Sequence, residues 1–479
     1  MLVHRTLLQA ITSGALAPGA RLPSARLLAA EWGYARGAVD EAFEQLQAEG
    51  LLERHTGDGS YVAAAPPTAA AAEPAHRALT GAARKVLTRF SAYLGKPQRL
   101  DAPTVSLVSQ PLFPRAPLIE HFPLDTWRRL LTRAHAEEQR HQLSYGPAAG
   151  LPQLRAAIAR HLALARGTPC RAEEVLVLNS PMQAIELIVR VLIEPGDTVW
   201  LEDPGHRSLA TLFEVLHANV VGVPLDDQGL DVARGRALAG NAAAVYLHAL
   251  TQFPLGQRTS TARRLELLQW AERSGAWLID ANFNDELTLD ASAPESLRNM
   301  DRSGRVLLMG TLEGVMFPSL RVAYLVVPAK LADVFAEMRG LLGDHTNMAL
   351  QQALAWFIDE GHMSRHLRNL RRVLAAPRAA LLDAAARHLP AWARLGPLDG
   401  GTYVAIHLPA DIDDREPVRL MRAAGVLGMA LSSACLDPRH ANGISIGYAA
   451  FSAPVIDGSL RVVGEVLRSC RDATSARSR

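Results

Sequence analysis

Between residues 175 and 327 six short apolar runs recur, and nothing else in the 479 residues restricts the fold so strongly. They are VLVLN (175–179), TVWLE (198–202), AVYLH (244–248), WLID (277–280), RVLLM (305–309) and VAYLVV (322–327). Runs of this length and make-up suit strands covered on both faces. Stretches with helical spacing lie between them, at 183–192 and 262–274. Strands alternating with helices imply an α/β domain around a mostly parallel sheet. Beyond 328 the pattern predicts a long helix over 332–342, a helix-rich stretch to 387 and a small α+β unit.

The first 65 residues follow a different pattern. Leu7, Leu8 and Ile11 have helical spacing, and Gly14 closes that helix. Pro18-Gly19 marks a turn. Ser24 is placed to cap a second helix with Leu27, Leu28 and Trp32 inside it, ended by Gly33. A third helix from about Arg36 puts Val39, Phe43 and Leu46 on one face and stops at Gly50. Two short helices joined by a tight turn make a helix-turn-helix. LLERHTGDGSYV (51–62) then reads as a hairpin with Gly57-Asp58-Gly59 at its tip, which is a wing. Residues 66–104 are Ala/Pro-rich and read as a linker, with Val86, Phe90 and Leu94 spaced for a short helix.

Composition narrows the remaining classes. The chain is 49% hydrophobic and 20% charged, with no apolar run of the ~18 residues a membrane span needs. Its start lacks the apolar stretch of a signal peptide. Cys170, Cys435 and Cys470 are too few for a disulfide framework and have no metal-ligand spacing; they read as ordinary buried thiols of a cytoplasmic protein that holds no metal.

Residues 16–62 carry P-G-x-x-L-P-S-x-R-x-L-A at 18–29 and A-E-G-x-L-x-R-x-x-G-x-G-x-Y-V at 48–62. This resembles the DNA-binding domain of the GntR family. The resemblance implies that Arg26, Arg36 and Arg54 face double-stranded DNA, with Gly59 letting the wing approach the minor groove. Arginine suits both phosphate pairing and bidentate guanine contacts. Residues 1–65 hold five arginines against seven acids, so binding requires the arginines to share one face. The family's S-R-x-T-V opening of the recognition helix is Ala35-Arg36-Gly37-Ala38-Val39, which removes two hydroxyls and places a helix-weakening glycine.

The larger domain has its own ordered motifs. YGPAAGLPQLRAAIARHL begins at Tyr145, PGDTVWLEDPGHRS at Pro195 and TQFPLGQRTSTARR at Thr251, followed by GTLEGVMFPSLR over 310–321. These resemble the fold-type I pyridoxal-phosphate aminotransferases as carried by MocR-type regulators. The resemblance implies a multidomain chain: an α+β winged helix-turn-helix over 1–65, a linker over 66–104, an α/β aminotransferase-like effector and dimerisation domain over 105–470, and a disordered tail over 471–479. It further implies a cytoplasmic homodimer, head-to-tail, on paired half-sites.

The resemblance fixes where a pyridoxal-phosphate site would lie, and the residues there depart from it. The imine lysine position is Gly314, and the serine before it is Glu313. The chain's only lysines are Lys85, Lys96 and Lys330, none in that loop. The acid for the pyridinium nitrogen is Ala281; the neighbouring Asp280 points to the opposite strand face. The tyrosine for the ring oxygen is Phe283. The glycine of the phosphate cup is Ser180, followed by Pro181, which has no N–H. Ser445 stands where the substrate-carboxylate arginine belongs. The expectation is therefore no cofactor, no catalytic residue and no transaminase activity. His206, Arg207, Thr251, Asn282, Thr311 and Arg321 form a candidate pocket for a different small-molecule effector. The alternatives are an aminotransferase with residual cofactor binding, or a protein-interaction scaffold.

Overall fold

The computed structural model describes residues 2–12, 14–55, 58–63, 110–114, 116–137, 144–283, 285–288, 295–398 and 401–477. The linker, its short helix, Lys85 and Lys96 fall outside them. The chain divides into two compact units, Met1–Ala92 and Tyr93–Arg479.

The first unit contains helices α1 (Leu2–Thr12), α2 (Ala25–Trp32) and α3 (Arg36–Ala48). A sheet of β1 (Arg21–Leu22), β2 (Leu52–His55) and β3 (Gly59–Val62) runs in the order β1-β3-β2. Leu7, Leu28, Val39, Phe43, Leu46, Leu52 and Val62 fill one core. Ser24 Oγ caps α2 by accepting from Leu27 N–H at 3.3 Å, and Gly33 ends it at φ 71°. One expectation fails: Leu27 and Trp32 are 58% and 38% exposed, and of the three only Leu28 is buried. A helix of two turns buries a single stripe, and adjacent residues lie about 100° apart around it. Strand β1 is a second departure. Its two residues pair with Ser60 and Tyr61 of β3, a partnership too short to leave a period in the sequence.

The second unit is built on an eight-stranded sheet. Its strands are β4 (Val175–Leu178), β5 (Thr198–Asp203), β6 (Asn219–Asp226), β7 (Gly229–Leu230), β8 (Ala244–Leu247), β9 (Trp277–Asn282), β10 (Val306–Thr311) and β11 (Ala323–Val326). Their order is β4-β11-β10-β9-β8-β5-β6-β7. From β10 to β6 the pairing is parallel, and β11 runs antiparallel between β10 and β4. Both faces are covered, with Ile279, Ala281, Leu307 and Met309 in one layer and Leu278 and Val306 in the other. The carboxyl ends of the parallel strands therefore share one edge, where open α/β sheets bind ligands. A smaller antiparallel sheet combines β12 (Arg394–Leu395), β13 (Tyr403–His407), β14 (Met429–Ala430) and β15 (Gly443–Gly447).

The terminal helix Ala453–Arg477 contradicts a disordered tail from 471, since it continues through six further residues to Arg477. The Arg471 guanidinium lies 4.8 Å from the Trp392 ring, a contact made with residues far upstream in the chain. The same helix crosses His362–His388 so closely that a Cβ at Gly464 would stand 2.1 Å from the His388 carbonyl oxygen. Gly464→Ala is expected to destabilise by roughly 1–3 kcal/mol through overpacking, read as a lower chemical-denaturation midpoint. An unchanged midpoint would show that the crossing relaxes freely.

Burial pushes the Cys170 thiol up to about 11 and the Cys435 thiol, with Asp203 beside it, up to about 12. Neither is an activated nucleophile. No helix among the described residues is long and apolar enough to cross a membrane, and none of them form a metal-binding cluster.

Candidate functional site

In the first unit, α3 and the wing bring Arg36 and Arg54 together. Arg36 opens α3, and Arg54 lies on β2 facing Ser60. Both reach Asp40: Arg36 Nε at 3.5 Å and Arg54 Nη2 at 3.4 Å. Ala35, at the start of α3, makes no side-chain cap bond. Gly59 opens β3 at φ 139°, and a Cβ there would stand 3.2 Å from Arg21 Nε, so glycine suits both the backbone angle and the close approach. Arg21 was not singled out in the sequence. Its guanidinium donates to the Asp58 carbonyl and ties β1 to the wing tip. Arg26 is an exposed residue of α2.

In the second unit, the carboxyl edge of the sheet gathers Asp203 from β5, His248 just after β8, Asn282 from β9 and Thr311 from β10. The rings form a cluster there. His206 stacks on Phe253 at 4.2 Å and 8°, and the Phe283 ring lies 6.5 Å from His206 and 5.5 Å from His248. Thr251 and Asn282 are buried. Arg207 leaves this group and donates to the Cys435 carbonyl at 3.1 Å. Of the six candidate positions, Arg207 is thus engaged with the loop before β15. Pattern matching located them along the chain, but side-chain direction depends on partners distant in sequence.

The positions expected to cradle a phosphate are occupied by the chain's own groups. Ser180 Oγ accepts from Gln183 N–H at 3.2 Å, and Gln183 Oε1 accepts from Asn179 N–H at 2.8 Å. Pro181 begins the helix between them without an N–H. Glu313 N–H donates to Thr311 Oγ1 at 3.1 Å, and the Glu313 carboxylate lies 3.4 Å from Arg321 Nη1. Burial pushes the Glu313 carboxyl up, and Arg321 partly offsets this. Gly314 sits in a turn closed by Met316 N–H donating to the Leu312 carbonyl at 2.9 Å. Val315 and Met316 on that turn are buried, and His366 Nε2 donates to the Val315 carbonyl at 2.7 Å. Lys330 follows β11, which runs antiparallel to β10, so it lies at the opposite edge of the sheet from Thr311. Ala281 shares a layer with Ile279, while Asp280 lies on the other face and accepts from Ala249 N–H at 3.4 Å. Ser445 Oγ donates to the Pro254 carbonyl at 3.4 Å.

A polar network under this edge left little signal in the sequence. His248 Nδ1 and Glu202 Oε2 are 3.0 Å apart, Tyr246 OH is 3.3 Å from His248 Nε2, and all three residues are buried. Burial pushes the Glu202 carboxyl up, and His248 draws it back. Asp203 accepts from Leu436 N–H at 2.7 Å and Asp437 N–H at 3.0 Å, and pairs with His440 Nδ1 at 2.7 Å. It thereby anchors the loop before β15 to the large sheet. The one available signal was two adjacent acids ending an apolar strand run.

Two family models match. Aminotransferase class I and II covers residues 117–462, and bacterial regulatory proteins, gntR family, covers residues 3–62. The chain is 31% identical over 440 residues to the probable rhizopine catabolism regulatory protein MocR of Rhizobium meliloti, spanning 92% of this chain and 87% of that one. It is 29% identical over 444 residues to the HTH-type pyridoxine biosynthesis transcriptional regulator PdxR of Corynebacterium glutamicum, spanning 91% and 89%. The solved multiple substrate aminotransferase from Thermococcus profundus superposes with a TM-score of 0.73 at 22% identity, covering 81% of this chain and 99% of that one. At that identity the likeness speaks for the fold alone.

Proposed function

This chain belongs to the MocR-type GntR transcriptional regulators, in which a winged helix-turn-helix is joined to an aminotransferase-like domain, and on that premise we propose that its pyridoxal-phosphate site is closed. The carrying observation is Gly314 at the lysine position, in a turn whose buried neighbours pack into the core. A glycine forms no imine. Around it, Ala281 offers no acid to a pyridinium nitrogen and Phe283 no hydroxyl to a ring oxygen. The groups left for a phosphate are engaged with Ser180, Gln183, Thr311 and Glu313. These residues do not fit pyridoxal phosphate.

In this reading the chain regulates transcription in the cytoplasm as a homodimer. Residues 1–65 read DNA through Arg26, Arg36 and Arg54, with Gly59 shaping the wing, and 66–104 tether them. The aminotransferase-like domain dimerises and senses a ligand other than pyridoxal phosphate near His206, Thr251 and Asn282. Replacing Arg36 and Arg54 together by Ala is expected to weaken retention of DNA from the protein's own upstream region by about a hundredfold or more, read by fluorescence anisotropy at fixed salt. Wild-type protein that retains no such fragment, or that elutes as a monomer on sizing, would sink the dimeric-regulator reading.

A further inference from the structure

The recognition helix carries an acid where charge alone argues against one. Asp40 stands one turn after Arg36 on α3, and a carboxylate at a DNA-facing surface repels phosphate of any sequence. Its surroundings indicate what it contributes instead. The carboxylate lies between Arg36 Nε at 3.5 Å and Arg54 Nη2 at 3.4 Å, so one side chain links the helix to the wing. Arg54 is held twice more. Its Nε donates to Ser60 Oγ at 3.4 Å, and its guanidinium lies 5.7 Å from the buried Phe43 ring. Arg36 is 70% exposed, while Asp40 and Arg54 are 36% and 32% exposed.

The Asp40 contact with Arg36 is made through Nε, which leaves both terminal nitrogens of that guanidinium for N7 and O6 of a guanine. An unrestrained arginine loses rotamer freedom when it binds, whichever base it meets. One already held by a carboxylate is oriented before contact, and that orientation favours the base whose acceptors match its fork. We propose that Asp40 is a positioning residue for DNA reading: it holds Arg36 beside the anchored Arg54 and aims the Arg36 fork at a guanine edge in the major groove. The inference rests on the DNA-binding reading above. It assigns Asp40 to discrimination between sequences, at a cost in affinity for all of them.

Full-length protein would be used to select duplexes from a randomised library. Affinities for the selected duplex and for a scrambled duplex of the same composition would then be compared among wild type, Asp40→Ala and Arg36→Lys at one salt concentration. Asp40→Ala is expected to bind the scrambled duplex more tightly and to lose about tenfold in the selected-to-scrambled ratio, the weight of one bidentate base contact. Arg36→Lys keeps the charge and is expected to lose the guanine preference at one position of its own selected pool. Equal gains on both duplexes for Asp40→Ala, with the ratio intact, would make Asp40 a repulsive charge only and overturn the proposal. An unchanged guanine preference in Arg36→Lys would overturn it independently, even if Asp40→Ala did not fold. Wild-type protein that enriches no sequence would instead overturn the DNA-binding reading itself.

Discussion

Full-length protein mixed with excess pyridoxal phosphate is expected to gain no imine absorption band, and borohydride treatment is expected to leave its intact mass unchanged. Gly314 accounts for the missing covalent bond. The rest of the site argues against non-covalent binding as well. A phosphate brought within about 4 Å of the Glu313 carboxylate would meet on the order of 4 kcal/mol of repulsion per charge at an effective dielectric of about 20. A hydrogen bond to a charged group returns roughly 1.5–3 kcal/mol, and Arg321 is already paired with Glu313. The same reasoning extends to Gly314→Lys. Restoring the amine alone is expected to give no imine band, because Ala281, Phe283 and Glu313 still oppose the ring and the phosphate. A trapped adduct in the wild type would show that one of the chain's three lysines reaches the cofactor, and peptide mapping would identify it. An adduct only in Gly314→Lys would show that the site is intact apart from its lysine.

His161→Ala is expected to destabilise the second unit by about 3–5 kcal/mol, the range for leaving a buried carboxylate without its partner. His161 Nε2 and Glu286 Oε1 are 2.8 Å apart, and the two side chains are 4% and 7% exposed. The pair joins the helix Pro152–Arg166 to the turn Asp285–Leu287, just beyond Phe283. Arg371 Nε donates to the Glu286 carbonyl at 2.9 Å and holds the same turn from the helix His362–His388. Burial alone pushes the Glu286 carboxyl up, but His161, Arg166 and Arg371 more than reverse this and hold it below the usual range. A carboxyl depressed in the folded state stabilises above its unfolded value of about 4.3, and that stability is lost as pH falls through the lower folded value. Chemical denaturation at several pH values would show this as a slope, and Glu286→Gln is expected to flatten it. Replacing both partners by Leu is expected to recover much of the loss, because no charge is then left buried without its partner. A double variant as unstable as His161→Ala would show that the pair does not carry the effect.

Much of the architecture was legible in the sequence for a local reason. An apolar run of four to six residues, or a stripe at helical spacing, is set by neighbours in the chain, so the strands at 175–178, 198–203 and 306–311 and the helix Thr261–Ser274 appeared close to where the periodicity put them. Capping is equally local, which is why Ser24 and Gly33 bounded α2 as expected. Strand β6 escaped because its residues, NVVGVPLD, are mostly half-buried and include Gly222 and Pro224, so no continuous apolar run marks it. The end of the last helix was misjudged because its support comes from Trp392, about eighty residues upstream.

The site divides along the same line. The sequence by itself determined which atoms are absent: a glycine, an alanine and a phenylalanine supply no amine, carboxylate or hydroxyl in any fold. Only the tertiary structure decided what the remaining polar groups do. Glu313 faces Arg321, Gln183 turns back on Asn179, Glu202 meets His248, and Asp40 stands between Arg36 and Arg54. The physical reason is that missing chemistry is a property of one residue, whereas a hydrogen bond or ion pair requires two groups within about 3–4 Å. For pairs such as Glu202 on β5 and His248 just after β8, only the packing of the sheet sets that distance.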